Sequence, residues 1–152
     1  MEQEESFDRI AIKYGLLAFL GLVTYFIVMK LLGLIYIVEL RAFNMFILTY
    51  GVWSALRKYL KQTGNETVYL RTLMLGVFTT LVAVAPFALF VLFYMQIDST
   101  FMQRIIENEI FGRYLNPFIV AFLIFFEGII SGFFIAFTLM QYMKKSMIKR
   151  VI

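Results

Sequence analysis

A single carboxylate lies within one of the most apolar stretches of the chain, the segment IFFEGIISGFF at 124–134. Glu127 is followed one helical turn later by Ser131, and Gly128 and Gly132 share this four-residue spacing. A carboxyl group in apolar surroundings can relay a proton, bind a cation or contact a ligand. The alternative is a structural role, in which a neutral carboxyl hydrogen-bonds to Ser131 or to a neighbouring helix. The sequence leaves both interpretations open.

The residue types present exclude most other reactive sites. The 152 residues include no Cys and no His, which excludes disulfides, thiolate or imidazole metal ligands and Cys- or His-based catalytic dyads. Glu127 and Ser131 form the only adjacent acid and nucleophile in the apolar runs, and nothing in the sequence orients or activates the serine. We therefore expect no enzyme activity, no cofactor and no metal site.

The apolar content predicts a membrane protein. Hydrophobic residues make up 62% of the chain, and the mean hydropathy is +0.84. A chain of this length cannot hide so much apolar surface in its own core, so a lipid bilayer is its natural solvent. We predict an all-α fold, a single membrane domain over 1–152 that forms a four-transmembrane-helix bundle. The predicted helices cover about 14–38, 42–59, 70–96 and 115–143.

Two parts of this prediction depend on particular residues. The second apolar run is short, and it spans the bilayer only if Arg41 and Arg57 extend from its ends to the membrane surfaces. The outer loop between helices 3 and 4 predicts a short amphipathic helix at about 99–111, lying on the membrane surface. As a functional element, this short helix would be a lid or a docking surface. The alternative is a plain tether between helices 3 and 4. Its apolar stripe consists of Phe101, Met102, Ile105, Ile106 and Ile110.

The basic residues predict the orientation. Of the 14 Lys and Arg residues, only Lys30, Arg41, Arg104 and Arg113 fall on the side of the outer loop. The excess on the other side predicts a multi-pass protein of the inner (plasma) membrane with both termini in the cytoplasm. The same distribution explains the net charge of +4, so we expect membrane lipids as partners and no nucleic acid.

The fourth predicted helix has two faces when its residues are placed at about 100° intervals. Glu127, Ser131, Gly128 and Gly132 share one face, which we expect to contact protein, because lipid offers polar atoms no partner. The spacing of the two glycines predicts close helix packing within the chain, with a homo-oligomer or a protein partner as the alternative. The bulky residues expected to face lipid are Phe122, Phe126, Ile129, Phe133, Phe137 and Met140.

Two further residues interrupt apolar runs. Lys30 is expected to extend to the surface from the end of the first helix, and the alternative is an ion pair with Glu127. Pro86 predicts a kink in the third helix, where Thr79 and Thr80 can satisfy freed carbonyl groups. The kink is interpreted as a hinge, a binding notch or a static aid to packing.

The order of the segments IAIKYGLLAFLG, GNETVYLRTLMLGVF and LFYMQIDSTFMQRI, followed by a basic C-tail, resembles a family of uncharacterised four-helix membrane proteins found mainly in Bacteroidetes-type bacteria. This resemblance covers most of the chain and implies a bacterial inner-membrane protein, without supplying any catalytic residue. The favoured hypothesis for function is an accessory or scaffold subunit that acts through helix–helix association. The alternative is a small proton-coupled transporter or channel that uses Glu127 near the membrane midplane.

Overall fold

The computed structural model describes residues 6–34, 42–63, 69–108 and 111–148, without the side chains of residue 108 and of 144–148. Within these ranges the chain contains helices and no strand, which confirms the predicted all-α class. A 3-10 turn at Gly112–Tyr114 precedes the last helix. The α-helices are α1 (Phe7–Leu31), α2 (Ala42–Thr63), α3 (Tyr69–Ile97), α4 (Ser99–Asn108) and α5 (Pro117–Ile148).

The first helix lies nearer the N-terminus than the predicted range of 14–38. It ends at Leu31 because Gly33 has a φ of +71°, a conformation that leaves the helix. The Gly33 N–H donates to the Lys30 carbonyl at 3.0 Å, and the Leu34 N–H donates to the Met29 carbonyl at 2.9 Å. These bonds form a Schellman motif, which closes a helix whatever the hydropathy of the next residues. The remainder of the predicted run, residues 35–38, lies outside the described residues.

The other bounds differ less from those predicted. Helix α2 begins at residue 42 but continues to Thr63, and α3 adds one residue at each end. Helix α4 begins at the predicted residue and is described to Asn108; residues 109 and 110 lie outside the described residues, and Phe111, the predicted end, is in a turn rather than a helix. Helix α5 begins at Pro117 rather than at residue 115, and it continues past 143 to Ile148. Its start is set by Asn116, whose Oδ1 accepts the Ile119 N–H at 2.9 Å, with proline at the first helical position.

Contacts between side chains give the helix directions. The ring of Phe7 lies 6.1 Å from that of Tyr59, and Tyr25 lies 6.2 Å from Phe43, so α1 and α2 are antiparallel along most of their length. Helix α3 runs parallel to α1, since Phe7 contacts Phe78 and Phe26 contacts Tyr94. Helix α5 runs antiparallel to α3, with Gly128 against Val84 and Gly76 against Ala136.

The four long helices therefore alternate in direction, and α4 lies across one end of them. We call this the α4 end, and the opposite end, where Phe7 and Tyr59 meet, the far end. Helix α3 is the most buried and packs against α1, α2 and α5. Core residues form one cluster in each half of the bundle. Ile10, Leu56, Leu75 and Ala136 belong to the far half, and Leu22, Phe87, Met95 and Phe101 belong to the α4 half.

Three of the helices are long and apolar enough to cross a membrane, which identifies a membrane protein by length and composition. They are α1, α3 and the part of α5 at Pro117–Met143. Helix α2 carries Arg57, Lys58 and Lys61 in its second half, and it does not reach the same apolar content. The predicted fourth span therefore has no support from composition.

Candidate intramembrane site

A cavity of about 450 Å³ lies between α2 and α5 in the α4 half of the bundle. Phe101 and Ile105 of α4 close it at the α4 end, and α1 and α3 form its floor through residues such as Leu22 and Val84. Met45 on its α2 side and Glu127 on its α5 side are both exposed, so the cavity opens to the surroundings between these two helices. Its volume falls within the range of about 300–1,000 Å³ that is usual for small-molecule sites.

Glu127 lines this cavity together with Ser131 of the next turn and Gly128. The Glu127 side chain is exposed, whereas the predicted face would have packed it against protein. Ser131 is half-buried. Among the described residues none donates a hydrogen bond to the Glu127 carboxylate or forms an ion pair with it. The arrangement therefore offers a carboxylate, without a protein partner, to whatever occupies a mainly apolar cavity.

Asn44 is a further polar residue of the cavity, and the sequence analysis did not single it out. It lies in the first turn of α2 and lines the same cavity as Glu127. Its Oδ1 atom is buried and has no hydrogen-bond partner in the described part of the chain. Its signal in the sequence is weak, because one amide near the end of an apolar run usually lies at a membrane surface.

The two glycines of α5 contact α3 of the same chain. A Cβ at Gly128 would lie 2.5 Å from Val84 Cγ1, and one at Gly132 would overlap the Thr80 side chain. The backbones of α3 and α5 therefore approach each other closely, and only glycine fits at these points. This contact places Glu127 beside the floor of the cavity and leaves neither glycine available to a second chain.

The aromatic face of α5 is exposed, as expected for contact with lipid, at Phe122, Phe126, Phe133 and Phe137. Met140 was wrongly assigned to that face, since it is only 4% exposed. Toward the far end α5 contacts α2 as well as α3, so more of its circumference is buried there. In the α4 half the cavity separates α5 from α2, and its buried face is correspondingly narrow.

Lys30 does not lie in the cavity with Glu127. Its Nζ lies 3.7 Å from Asp98 Oδ2 and 4.4 Å from the centre of the Tyr94 ring. Tyr94 also donates its hydroxyl hydrogen to Asp98 Oδ2 at 2.7 Å. The cluster of Lys30, Tyr94 and Asp98 thus connects the end of α1 to the junction of α3 and α4. Sequence reasoning did not identify Asp98 as the ion partner of Lys30.

Asp98 also caps α4, because its Oδ1 accepts the Phe101 N–H at 3.2 Å. The Tyr94 hydroxyl, this N–H and the Lys30 ammonium hold the pKa of the Asp98 carboxyl below its ordinary value of 3.8. A lowered pKa means that the ionised carboxyl stabilises the fold at pH values above 3.8. That contribution is lost as the pH falls through the lowered pKa.

We expect Asp98→Asn to flatten the acid dependence of stability, because asparagine still caps a helix but carries no charge for Lys30. The melting temperature of the wild-type chain falls as acid protonates Asp98, whereas the variant starts lower and loses less over the same range. Circular dichroism in detergent between about pH 2 and pH 6 measures this difference. Glu107→Gln, at an exposed position of α4, is the matched control and should follow the wild type.

Pro86 lies inside α3, which continues past it to Ile97. The Thr79 and Thr80 hydroxyls, which were expected to bind carbonyl groups freed by the proline, bind other carbonyl groups. Thr79 donates to the Leu75 carbonyl at 2.7 Å, and Thr80 donates to the Gly76 carbonyl at 3.0 Å. Both threonines are buried where α3 packs against α1 and α5. Because a buried hydroxyl needs a hydrogen-bond partner, these bonds within α3 satisfy the two hydroxyls. The two threonines therefore serve helix packing, one to two turns before the proline.

Comparison with known proteins yields no relative: no family model, no curated protein and no solved structure matches the chain. The site is therefore interpreted from its own geometry. Among the described residues no group of acidic side chains is arranged to hold a metal ion.

Proposed function

We propose that the chain is a small proton-coupled transporter with four membrane spans, which exchanges a proton at Glu127 for an amphipathic cation bound in the cavity between α2 and α5. The observation that carries this proposal is the Glu127 carboxylate, which lines a mainly apolar cavity and has no partner among the residues that the structure describes. No Lys or Arg is among the described residues that line the cavity, so the one charged group that these residues supply, Glu127, favours a positively charged ligand.

The exchange follows from the cost of charge in apolar surroundings. With the cavity free of cations, a protonated and neutral carboxyl avoids an uncompensated charge near the membrane midplane. When a cation enters, the ionised carboxylate pairs with it and the carboxyl proton leaves to water, so one positive charge replaces another. The opening between α2 and α5 lets an amphipathic molecule enter sideways from the bilayer, with its apolar part leading.

Four spans are supported by the position of α2 rather than by its composition. Phe43 near its start lies beside Tyr25 of α1, and Tyr59 near its end lies beside Phe7. Helix α2 therefore extends alongside α1 over residues 7 to 25, or roughly 27 Å at the helical rise per residue, close to the thickness of a bilayer core. In the proposed orientation the far end faces the cytoplasm of a bacterial cell, which agrees with the excess of Lys and Arg there.

Single cysteines test the number of spans, because the chain has no Cys of its own. With four spans, Ser6→Cys and Thr63→Cys lie on one side of the membrane and Gln103→Cys lies on the other. A membrane-impermeant maleimide applied to intact cells then labels only Gln103→Cys, and lysed cells give all three. If α2 does not cross, Ser6→Cys and Gln103→Cys share a side, and the same result for that pair in intact cells, both labelled or both protected, would overturn the four-span proposal.

Transport is tested with the full chain reconstituted in vesicles that are acidic inside. Decyltrimethylammonium is a suitable probe, since its permanent charge prevents free diffusion and its single chain is apolar. We expect uptake that is faster than in protein-free vesicles and is abolished by a protonophore. Uptake equal to that of protein-free vesicles, or uptake unaffected by the gradient, contradicts proton-coupled exchange.

The accessory-subunit hypothesis stays a prediction, as does membership of the family that the sequence resembles. Gly128 and Gly132 contact α3 of the same chain, so association through this pair would require the bundle to open. A subunit partner would instead have to contact an exposed apolar surface, such as the aromatic face of α5, which suits lipid equally well. The geometry therefore favours the transporter over the scaffold.

A further inference from the structure

The amide of Asn44 has no function in the fold that the described residues account for. Its Oδ1 atom is buried in apolar surroundings without a hydrogen-bond donor, and its side chain lines the cavity that Glu127 also lines. Buried acceptors are nearly always paired, because water and its hydrogen bonds are lost on burial. A donor supplied by a ligand would satisfy this atom.

The polar groups of the cavity select the chemistry of that donor. Glu127 and Asn44 offer acceptors, Ser131 offers a hydroxyl, and no described lining residue is cationic. A quaternary ammonium group brings charge but no N–H, and an alcohol brings a donor but no charge. An ammonium group with N–H bonds brings both, and can donate to a carboxylate and an amide oxygen at once.

We infer that the cation bound in this cavity is a primary or secondary amine in its ammonium form, attached to an apolar chain, and that Asn44 determines this preference. The ammonium group donates to Glu127 and Asn44, while the chain lies against apolar lining residues such as Leu22, Met45 and Ile124. The inference rests on the proposed function and adds to it a ligand class and a specificity-determining residue.

Native mass spectrometry of the full chain, released from detergent micelles, tests this by counting bound molecules at a series of ligand concentrations. The probes are decylammonium, decyltrimethylammonium and decanol, which share one chain and differ only in the head. We expect the wild type to bind decylammonium at least about tenfold more tightly than decyltrimethylammonium, because one hydrogen bond from a charged donor is worth about tenfold and the quaternary head can donate to neither Glu127 nor Asn44. Decanol should bind more weakly than either cation.

Asn44→Leu is the deciding variant, since leucine has a similar size and cannot accept a hydrogen bond. It should lower the preference by about tenfold, the effect of the one hydrogen bond that it removes, while donation to Glu127 and the binding of decyltrimethylammonium persist. Thr49→Val is the matched control: it removes a polar group from α2 that bonds to the Met45 carbonyl and does not line the cavity. This control should keep the preference. A preference as large in Asn44→Leu as in the wild type, or decanol binding as tight as that of decylammonium, overturns the inference.

Two further comparisons separate the sources of the amine and the two proposals. Phosphatidylethanolamine against phosphatidylcholine repeats the head-group test on a membrane lipid, so a preference there identifies a lipid amine, and a preference confined to the decyl probes identifies a single-chain amine. Absence of the preference in both pairs overturns the inference. Gradient-driven uptake of decyltrimethylammonium without a head-group preference would support the transporter and contradict the role of Asn44. A head-group preference without such uptake would contradict the transporter and support an amine-binding site.

Discussion

Glu127→Gln is expected to abolish the proton release that accompanies cation binding. In the wild-type chain, decyltrimethylammonium pairs with the ionised carboxylate, so about one proton leaves for each cation bound. Glutamine has nearly the same shape and can still accept a hydrogen bond, but it cannot ionise. The variant therefore keeps the cavity and loses the exchange, and a pH indicator in weakly buffered detergent solution should record no release.

The same variant makes a second prediction, about the pH dependence of binding. Because a proton and the cation compete for one carboxylate, wild-type affinity for decyltrimethylammonium should rise with pH. Glu127→Gln should bind weakly at every pH, with no such rise. Glu107→Gln, which removes an exposed carboxylate of α4 outside the cavity, controls for general loss of negative charge. Equal proton release by wild type and Glu127→Gln would show that another group carries the proton.

The part of the site that could be predicted from the sequence is the set of residues that a single helix contributes. Helical spacing alone places Glu127, Gly128, Ser131 and Gly132 on neighbouring positions of α5, and all but Gly132 line the cavity. Periodicity could not show that the carboxylate faces an open cavity rather than packed protein. That depends on how far α2 lies from α5 in the α4 half, which is a property of two helices distant in sequence.

The ion partner of Lys30 illustrates a different limit. Apolar composition continues past Leu31, so hydropathy extends the first helix to 38 and places Lys30 within a span. One glycine with a positive φ ends the helix instead, which leaves Lys30 in the last turn beside the junction of α3 and α4. Its partner then becomes Asp98, which lies next to it in space and far away in sequence. Such a pairing follows from helix ends, and composition determines helix ends poorly.

Disrupting the contact between α3 and α5 has the largest expected effect on stability. Adding one methyl group to α3 at this contact, and then removing one from α5, tests it. A Cβ at Gly76 would lie 2.5 Å from the Ala136 Cβ and 3.3 Å from Val52 Cγ1, so Gly76→Ala forces α3 and α5 apart. We expect it to lower the free energy of unfolding by about 1–3 kcal/mol, as overpacking usually does. This loss outweighs the gain of about 1 kcal/mol that alanine brings to a helix interior. Unfolding by SDS in mixed micelles, followed by circular dichroism, measures it.

Gly76→Ala combined with Ala136→Gly moves the methyl group from α5 to α3 and leaves the number of alanines unchanged. The double variant should recover most of the lost free energy, because the two helices again meet across one methyl and one hydrogen. Ala136→Gly alone completes the cycle and should be destabilising through helix propensity and a lost contact. If the two single effects simply add, then Gly76 and Ala136 do not determine the separation of the helices. Since α5 carries Glu127 and α3 carries the cavity floor at Val84, restored packing should also restore cation binding.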